Sequence, residues 1–393
     1  MPLRWIMLLV LFLVRLAMGY QFQSVASTAS QLIDRFGFSY AEVGTLIGLF
    51  LLPGIVFAIP SGLLTRAMAD KSLLLVGAVA MIIGGLMMGF ADSPGMLYAG
   101  RAVTGVGGTI FNVVLTKMIT DWFIGKEIVT ALAVMLTSWP IGIALGLLSQ
   151  GWLADTYGWE AGMHATVAVA ALAFGLTALV YREAPNAGDG NAGKLRIALP
   201  RRQFVHMSVA GIGWTCFNAS LIACVSFAPD VLVANGYTAE GARASTSLLM
   251  WVTLFSLPFG GRVLEVVGYV TPAMLVGFAV SGLATLAITT GIAPEAALIT
   301  VGIFLGLPAG ALMSLSAEAV SPDNRGPGLG IFFTIYYAGM TVFPAIAGWA
   351  RDLTGDVGAP LYLAAGLMVV TMAAILLFRL LQRTWPIEAA ASA

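Results

Sequence analysis

The chain has 393 residues, of which 59% are hydrophobic and 10% charged, with 19 basic and 19 acidic side chains in balance. Soluble globular domains carry about 25% charged residues, so this composition, with a mean hydropathy of +0.93, argues against a soluble enzyme. Zero net charge leaves nucleic-acid binding without electrostatic support.

Apolar segments run along the whole chain. In the first half they fall near 3–28, 40–65, 72–91, 95–118, 127–153 and 160–181. In the second half they fall near 203–228, 242–264, 270–291, 295–316, 327–350 and 358–380. A helix of ~20 apolar residues spans the hydrocarbon of a bilayer. Twelve transmembrane helices are therefore expected, most with internal glycine or proline, as is usual in membrane spans. The start could pass for a cleaved signal peptide, but Arg15 interrupts the apolar run, which continues past Ala17. It is read as the first span.

One long polar linker interrupts the pattern. The expected division is 1–181 as an N-terminal six-helix bundle, 182–202 as a linker, and 203–393 as a C-terminal six-helix bundle. Orientation follows from lysine and arginine in the loops. With the N-terminus inside, the inner connections and termini hold 14 basic residues and the outer connections hold 3: Arg35, Arg243 and Arg351. Both termini and the linker are thus expected on the cytoplasmic side of a plasma (inner) membrane.

Four span ends read alike. They are 62–69, 151–158, 261–268 and 348–355. Each begins with glycine: Gly62, Gly151, Gly261 and Gly348. Three carry an acid four residues on, Asp155, Glu265 and Asp352, where the first copy has Arg66. A small residue follows three later. The first and third copies are 199 residues apart, and the second and fourth 197. Adjacent copies within a half are 89 and 87 apart and close spans on opposite faces. That pattern implies two parallel halves, each an inverted three-plus-three repeat. The expected fold is all-α, with two pseudo-symmetric six-helix bundles.

With these features the chain resembles the major facilitator superfamily over essentially its whole length. The loop after the second span sits where that family carries a glycine-rich, charged motif. Gly62, Leu64 and Lys71 match it, while Arg66 and Asp70 exchange the family's signs. An attraction within that loop is expected to survive the exchange. The run from Gly100 and Arg101 through Gly105, Gly107 and Gly108 resembles the family's fourth-span motif. Trp139, Pro140, Gly142 and Gly146 resemble its fifth-span glycine-proline motif, with Trp139 where a glycine is usual. A finer resemblance, carried by Gln21, Gln23, Pro53, Gly54, Pro60, Tyr336 and Tyr337, is to the cyanate/nitroimidazole-type and nitrate-type permeases. It implies a small anion or small polar organic substrate.

The acids lie in loops or near span ends, which disfavours cation substrates and a midplane carboxylate proton carrier. Arg15 is twelve residues into the first span, so about 18 Å deep at 1.5 Å per residue. A guanidinium at that depth either faces a water-filled pathway and grips an oxyanion, or bonds to backbone carbonyls. The first reading makes Arg15 the main counter-charge. Arg101, Gly105, Gly108 and Asn112 share one helical stripe; Arg101 is expected to assist, the alternative being a packing role near the outer end. Aligning Phe22 with Phe217 sets Gln23 opposite Asn218, and both are candidate substrate hydrogen-bond partners. Tyr336 and Tyr337 are adjacent, so only one can face a cavity. Trp139 is a candidate wall. The residues at the repeated turns, with Asp70, are expected to act as conformational-switch elements.

Cys216 and Cys224 form no metal spacing and no disulfide framework, and His164 and His206 are too few for a metal centre. Neither metal nor cofactor is expected, and no catalytic constellation is found. The expected function is secondary transport by alternating access, of a small anion or small polar solute, with a co-transported or exchanged ion as a further partner. A monomer is expected. The competing readings are an exporter of hydrophobic or drug-like compounds and a non-transporting membrane receptor.

Overall fold

Within hydrocarbon no water is available to backbone N–H and C=O groups, so an apolar chain must satisfy them internally. This chain does so with helices. The computed structural model describes residues 3–57, 68–123, 127–184, 199–321 and 324–387, and no strand occurs among them.

The first half comprises α1 (Leu3–Ser27), α2 (Ala29–Phe36), α3 (Tyr40–Leu49, continuing over 52–57), α4 (Asp70–Gly89), α5 (Pro94–Phe123), α6 (Ile128–Tyr157) and α7 (Trp159–Leu179). The second comprises α8 (Arg201–Ala234), α9 (Ala239–Val267), α10 (Val270–Thr289), α11 (Pro294–Gly306), α12 (Ala309–Glu318), α13 (Arg325–Thr354) and α14 (Ala359–Thr384). Among the described residues, eleven helical stretches are long and apolar enough to cross a membrane, with α11 and α12 forming one of them. The 29-residue α9 supplies the twelfth span. The short α2 is not anticipated by hydropathy, because only Leu32 of its eight residues is buried.

Packing repeats between the halves. In the first, α1 packs on α6 and α7, and α4 on α5 and α7. In the second, α8 packs on α13 and α14, and α10 on α11 and α14. These are the same span pairs, six spans apart. The halves meet through α3 against α13 and α6 against α9, again a symmetric pair. We call the face bearing both termini proximal and the other distal.

The repeated turn has a physical explanation. Its last glycine ends a helix with a positive φ: Gly158 at 93°, Gly268 at 72° and Gly355 at 68°. Residues with a Cβ rarely adopt that backbone. The degraded copy has Ala69 there, at φ −58°. Proline lies inside α6, α8, α9 and α13, where each removes one backbone hydrogen bond.

Candidate functional site

Arg15 comes from the middle of α1 and keeps part of its surface accessible. Its Nε is buried with no hydrogen-bond partner, and the side chain makes no ion pair among the described residues. It lies within electrostatic reach of Tyr336 and Tyr337, which α13 brings from the other half. The two tyrosine rings are 5.2 Å apart. They divide their surroundings. Tyr337 is 4% exposed, abuts Gly54, and its hydroxyl accepts from Asn112 Nδ2 at 3.4 Å. Tyr336 stays partly accessible, and its hydroxyl has no partner among the described residues. An uncompensated guanidinium and a free phenol thus converge between the halves at mid-span depth.

From Tyr337 to the distal face, α3 and α13 form an antiparallel seam without space for side chains. Gly54 faces Tyr337, Gly48 faces the Thr341 carbonyl, Gly44 the Pro344 carbonyl, and Gly348 the Tyr40 carbonyl. A Cβ at any of the four glycines would collide with the facing group. Glycines at this spacing let two helix backbones approach closely. At the distal end the Asp352 carboxylate accepts from the backbone N–H of Tyr40 at 3.0 Å and of Ala41 at 2.8 Å. Those N–H groups are free because they open α3, where a carboxylate is favoured by the helix dipole. Arg351 next door donates to the Tyr40 hydroxyl at 2.7 Å, lies 3.4 Å from its ring centre, and pairs with Asp230.

The second seam ends in the same way. The guanidinium of Arg243 on α9 lies over Gly151 of α6, where a Cβ would collide with it, and pairs with Asp155 one turn on. Gln31 of α2 donates to the other Asp155 oxygen at 2.7 Å. In both seams the glycine makes a notch that admits a group from the opposite half, and the acid four residues later holds it. Among the described residues, five hydrogen bonds join the halves: the Asn112–Tyr337 bond and four at the distal ends. The molecule is closed on its distal face.

Comparison with known proteins agrees with this architecture. The family model described as Major Facilitator Superfamily matches residues 9–240. The chain belongs to the major facilitator superfamily. A putative tartrate transporter of Agrobacterium vitis is 24% identical, covering 98% of this chain and 93% of its own. A probable nitrate transporter of Staphylococcus aureus is 22% identical, covering 80% of each. Among solved structures, a bacterial homologue of the human lysosomal transporter Spinster superposes with a TM-score of 0.76 at 16% identity, covering 100% of this chain and 99% of that one. Family and relatives together make this a multi-pass membrane transporter.

The superfamily's fourth-span arginine takes a different place from the expected one. Arg101 is fully buried and its donors are spent on protein oxygens. Nε bonds the Leu46 carbonyl at 2.9 Å, Nη1 the Gln21 carbonyl at 3.0 Å and Ser24 Oγ at 3.5 Å, and Nη2 the Phe22 carbonyl at 2.7 Å. Phe22 and Phe50 lie against it, 5.6 and 4.9 Å from their centres. This is the packing alternative: Arg101 ties α5 to α1 and α3. The Gly105–Gly108 stripe beside it makes room for Phe50.

Other expected residues separate. Gln23 is 1% exposed and packs against Gly146 inside the first half, its Nε2 without a partner. Asn218 turns back on its own helix, donating to the Trp214 carbonyl at 2.8 Å. Trp139 sits 5.2 Å from Phe22 and stays partly accessible. Asp70 opens α4 and pairs with Lys117 of α5, which also holds Asp121 at 3.2 Å. Asp70 thus has a partner across to another helix. Nearby, Lys71 Nζ bonds the carbonyls of Ala178 and Tyr181, and burial pushes the Tyr181 phenol above its ordinary range. Gly62 and Arg66 lie outside the described residues, as do the surroundings of Gly261 and the side chain of Glu265. The Asp230–Arg351–Tyr40 group was missed, because its members are far apart in sequence and share no motif; the basic residue in an otherwise acid-closed outer turn was the available signal.

Proposed function

We propose that this transporter moves a small anion or small polar organic solute by alternating access, with Arg15 as the counter-charge. One observation carries the reading: a mid-span guanidinium, partly accessible, lacks any partner among the described residues. A central arginine costs about 2.5–3.5 kcal/mol on insertion scales. Arg101 offsets that cost with carbonyls and ring faces; Arg15 has no such compensation, which an anion would provide. Tyr336 supplies a hydroxyl donor beside it. The named cargo of the similar proteins, tartrate and nitrate, is anionic and favours the same chemistry.

Both termini face the cytoplasm, on the loop-charge argument. The distal face is then external, and this conformation is closed to the outside. Transport requires the two seams to part and the halves to rock about the Arg15 level.

The test is uptake or counterflow in proteoliposomes, with radiolabelled nitrate, tartrate and benzoate as first probes and a wider anion panel in competition. Wild-type flux that is saturable and absent from Arg15→Gln supports the reading. Flux unchanged in Arg15→Gln overturns it.

A further inference from the structure

We infer that the Arg15 site selects a planar, aromatic monocarboxylate over inorganic anions and over dicarboxylates. This rests on the anion reading above and narrows it.

Charge sets the valence. Arg101, the other basic residue deep in a span, is enclosed by carbonyls and rings and offers nothing to a ligand. The described acids nearest the seams, Asp155, Asp230 and Asp352, lie at distal helix ends and already have partners. The central site therefore presents a single uncompensated positive charge among the described residues. A monoanion neutralises it. A dianion would carry one charge that no described basic residue at the site balances.

Donor geometry sets the head group. A guanidinium offers two parallel N–H bonds that match a carboxylate. Among the described residues no hydrogen bond engages the Arg15 guanidinium, whose Nε is buried, so its Nη groups are left for a ligand, and the partly accessible Tyr336 adds a third donor.

Aromatic surface sets the body. Tyr336 and Tyr337 lie 6.3 and 6.4 Å from Phe333; Phe333 is 5.4 Å from Phe332, and Phe332 is 6.2 Å from Trp214. Phe332 is fully buried, so the surface this run offers a ligand is that of its other rings. Tyr336, Phe333 and Trp214 each keep accessible surface. Ring faces of this kind favour an aromatic ligand beyond simple burial, by roughly tenfold in affinity for one or two ring pairs. Nitrate would use the guanidinium and leave the rings idle.

The test is calorimetric titration of the purified full-length protein with benzoate, cyclohexanecarboxylate, benzamide, nitrate and tartrate. Wild type, Arg15→Gln, Tyr336→Phe and Phe333→Ala are compared, each first checked for a wild-type elution profile and a cooperative melt. Benzoate should bind roughly tenfold more tightly than cyclohexanecarboxylate, the same head group on a saturated ring, from one or two ring contacts. Benzamide should not bind measurably. Arg15→Gln should abolish benzoate binding, and Phe333→Ala should weaken benzoate more than nitrate. Should Arg15→Gln fail the folding check, Tyr336→Phe supplies the comparison, weakening benzoate about threefold to tenfold for one lost hydrogen bond. If nitrate or tartrate binds in an Arg15-dependent way and benzoate does not, the aromatic class is wrong and the anion site stands. If benzoate binds wild type and Arg15→Gln alike, or no anion binds through Arg15, the anion site itself is wrong.

Discussion

The Asp352 carboxylate on α13 caps the first turn of α3 by accepting the Tyr40 N–H at 3.0 Å, so a side chain of one half completes a helix of the other. Its second oxygen takes the Ala41 N–H. Opening the distal face must break these two bonds, although α3 keeps its own Ser39–Glu42 capping box. A carboxylate at a helix N-terminus is worth about 0.3–2 kcal/mol, enough to bias a two-state equilibrium severalfold. Asp352→Asn removes the charge but leaves an acceptor, and should favour the distal-open state by about twofold to fivefold. Spin labels at Thr156→Cys on α6 and Ala244→Cys on α9, both exposed positions, report on the gap. Cys216 and Cys224 are buried and should remain unlabelled. The distance distribution should lengthen in Asp352→Asn; an unchanged distribution would remove the cap from the gate.

Asp155 and Arg243 form the matching closure. Each single neutralisation should open the distal face, and the charge exchange Asp155→Arg with Arg243→Asp should restore much of the closure. A double-mutant cycle on the labelled protein should give a coupling of about 1–3 kcal/mol, as expected for a partly buried, interacting pair. Additive effects would mean that the pair does not hold the seam.

Gly348 and Gly151 are tested by size, not charge. Gly348→Val puts side-chain atoms into the Tyr40 carbonyl, and Gly151→Val into the Arg243 guanidinium. Both variants should block distal closure while leaving each half folded. Cross-linking of distal-face cysteine pairs should fall in both. Retained wild-type cross-linking would show that the close approach is dispensable.

The two deep arginines should respond in opposite ways. Arg101→Ala removes the bonds that tie α5 to α1 and α3 and leaves a cavity, and large-to-alanine changes in a packed interior cost about 2–5 kcal/mol. A large fall in melting temperature and yield is expected. Arg15→Gln removes a charge that has no protein partner, so its melting temperature should equal or exceed that of wild type. A destabilised Arg15→Gln beside a stable Arg101→Ala would reverse the assignment.

The parts of the fold legible in the sequence were those written in local chemistry. Apolar length gave the spans, and Gly158, Gly268 and Gly355 marked where helices stop because only glycine accepts that backbone at little cost. The Gly-to-acid spacing identified junctions without revealing what each acid holds: Asp155 meets a guanidinium, Asp352 a helix end. Arg101 shows the limit most clearly. Its partners are main-chain carbonyls on α1 and α3, and carbonyls carry no sequence signal. Gln23 likewise shares its polarity with pathway candidates, yet its place against Gly146 follows from the pitch of α1 on α6, which composition does not encode.

The most direct test of the account is a thermal-shift comparison of wild type and Arg15→Gln across inorganic anions, carboxylates, neutral sugars, cations and drug-like amines. A ligand at ~100 times its Kd stabilises by about 2.7 kcal/mol. The account predicts that at least one anion raises the wild-type melting temperature and leaves the variant unmoved. Stabilisation of both proteins equally, by apolar compounds alone, would contradict it and make Arg15 a structural residue of an exporter.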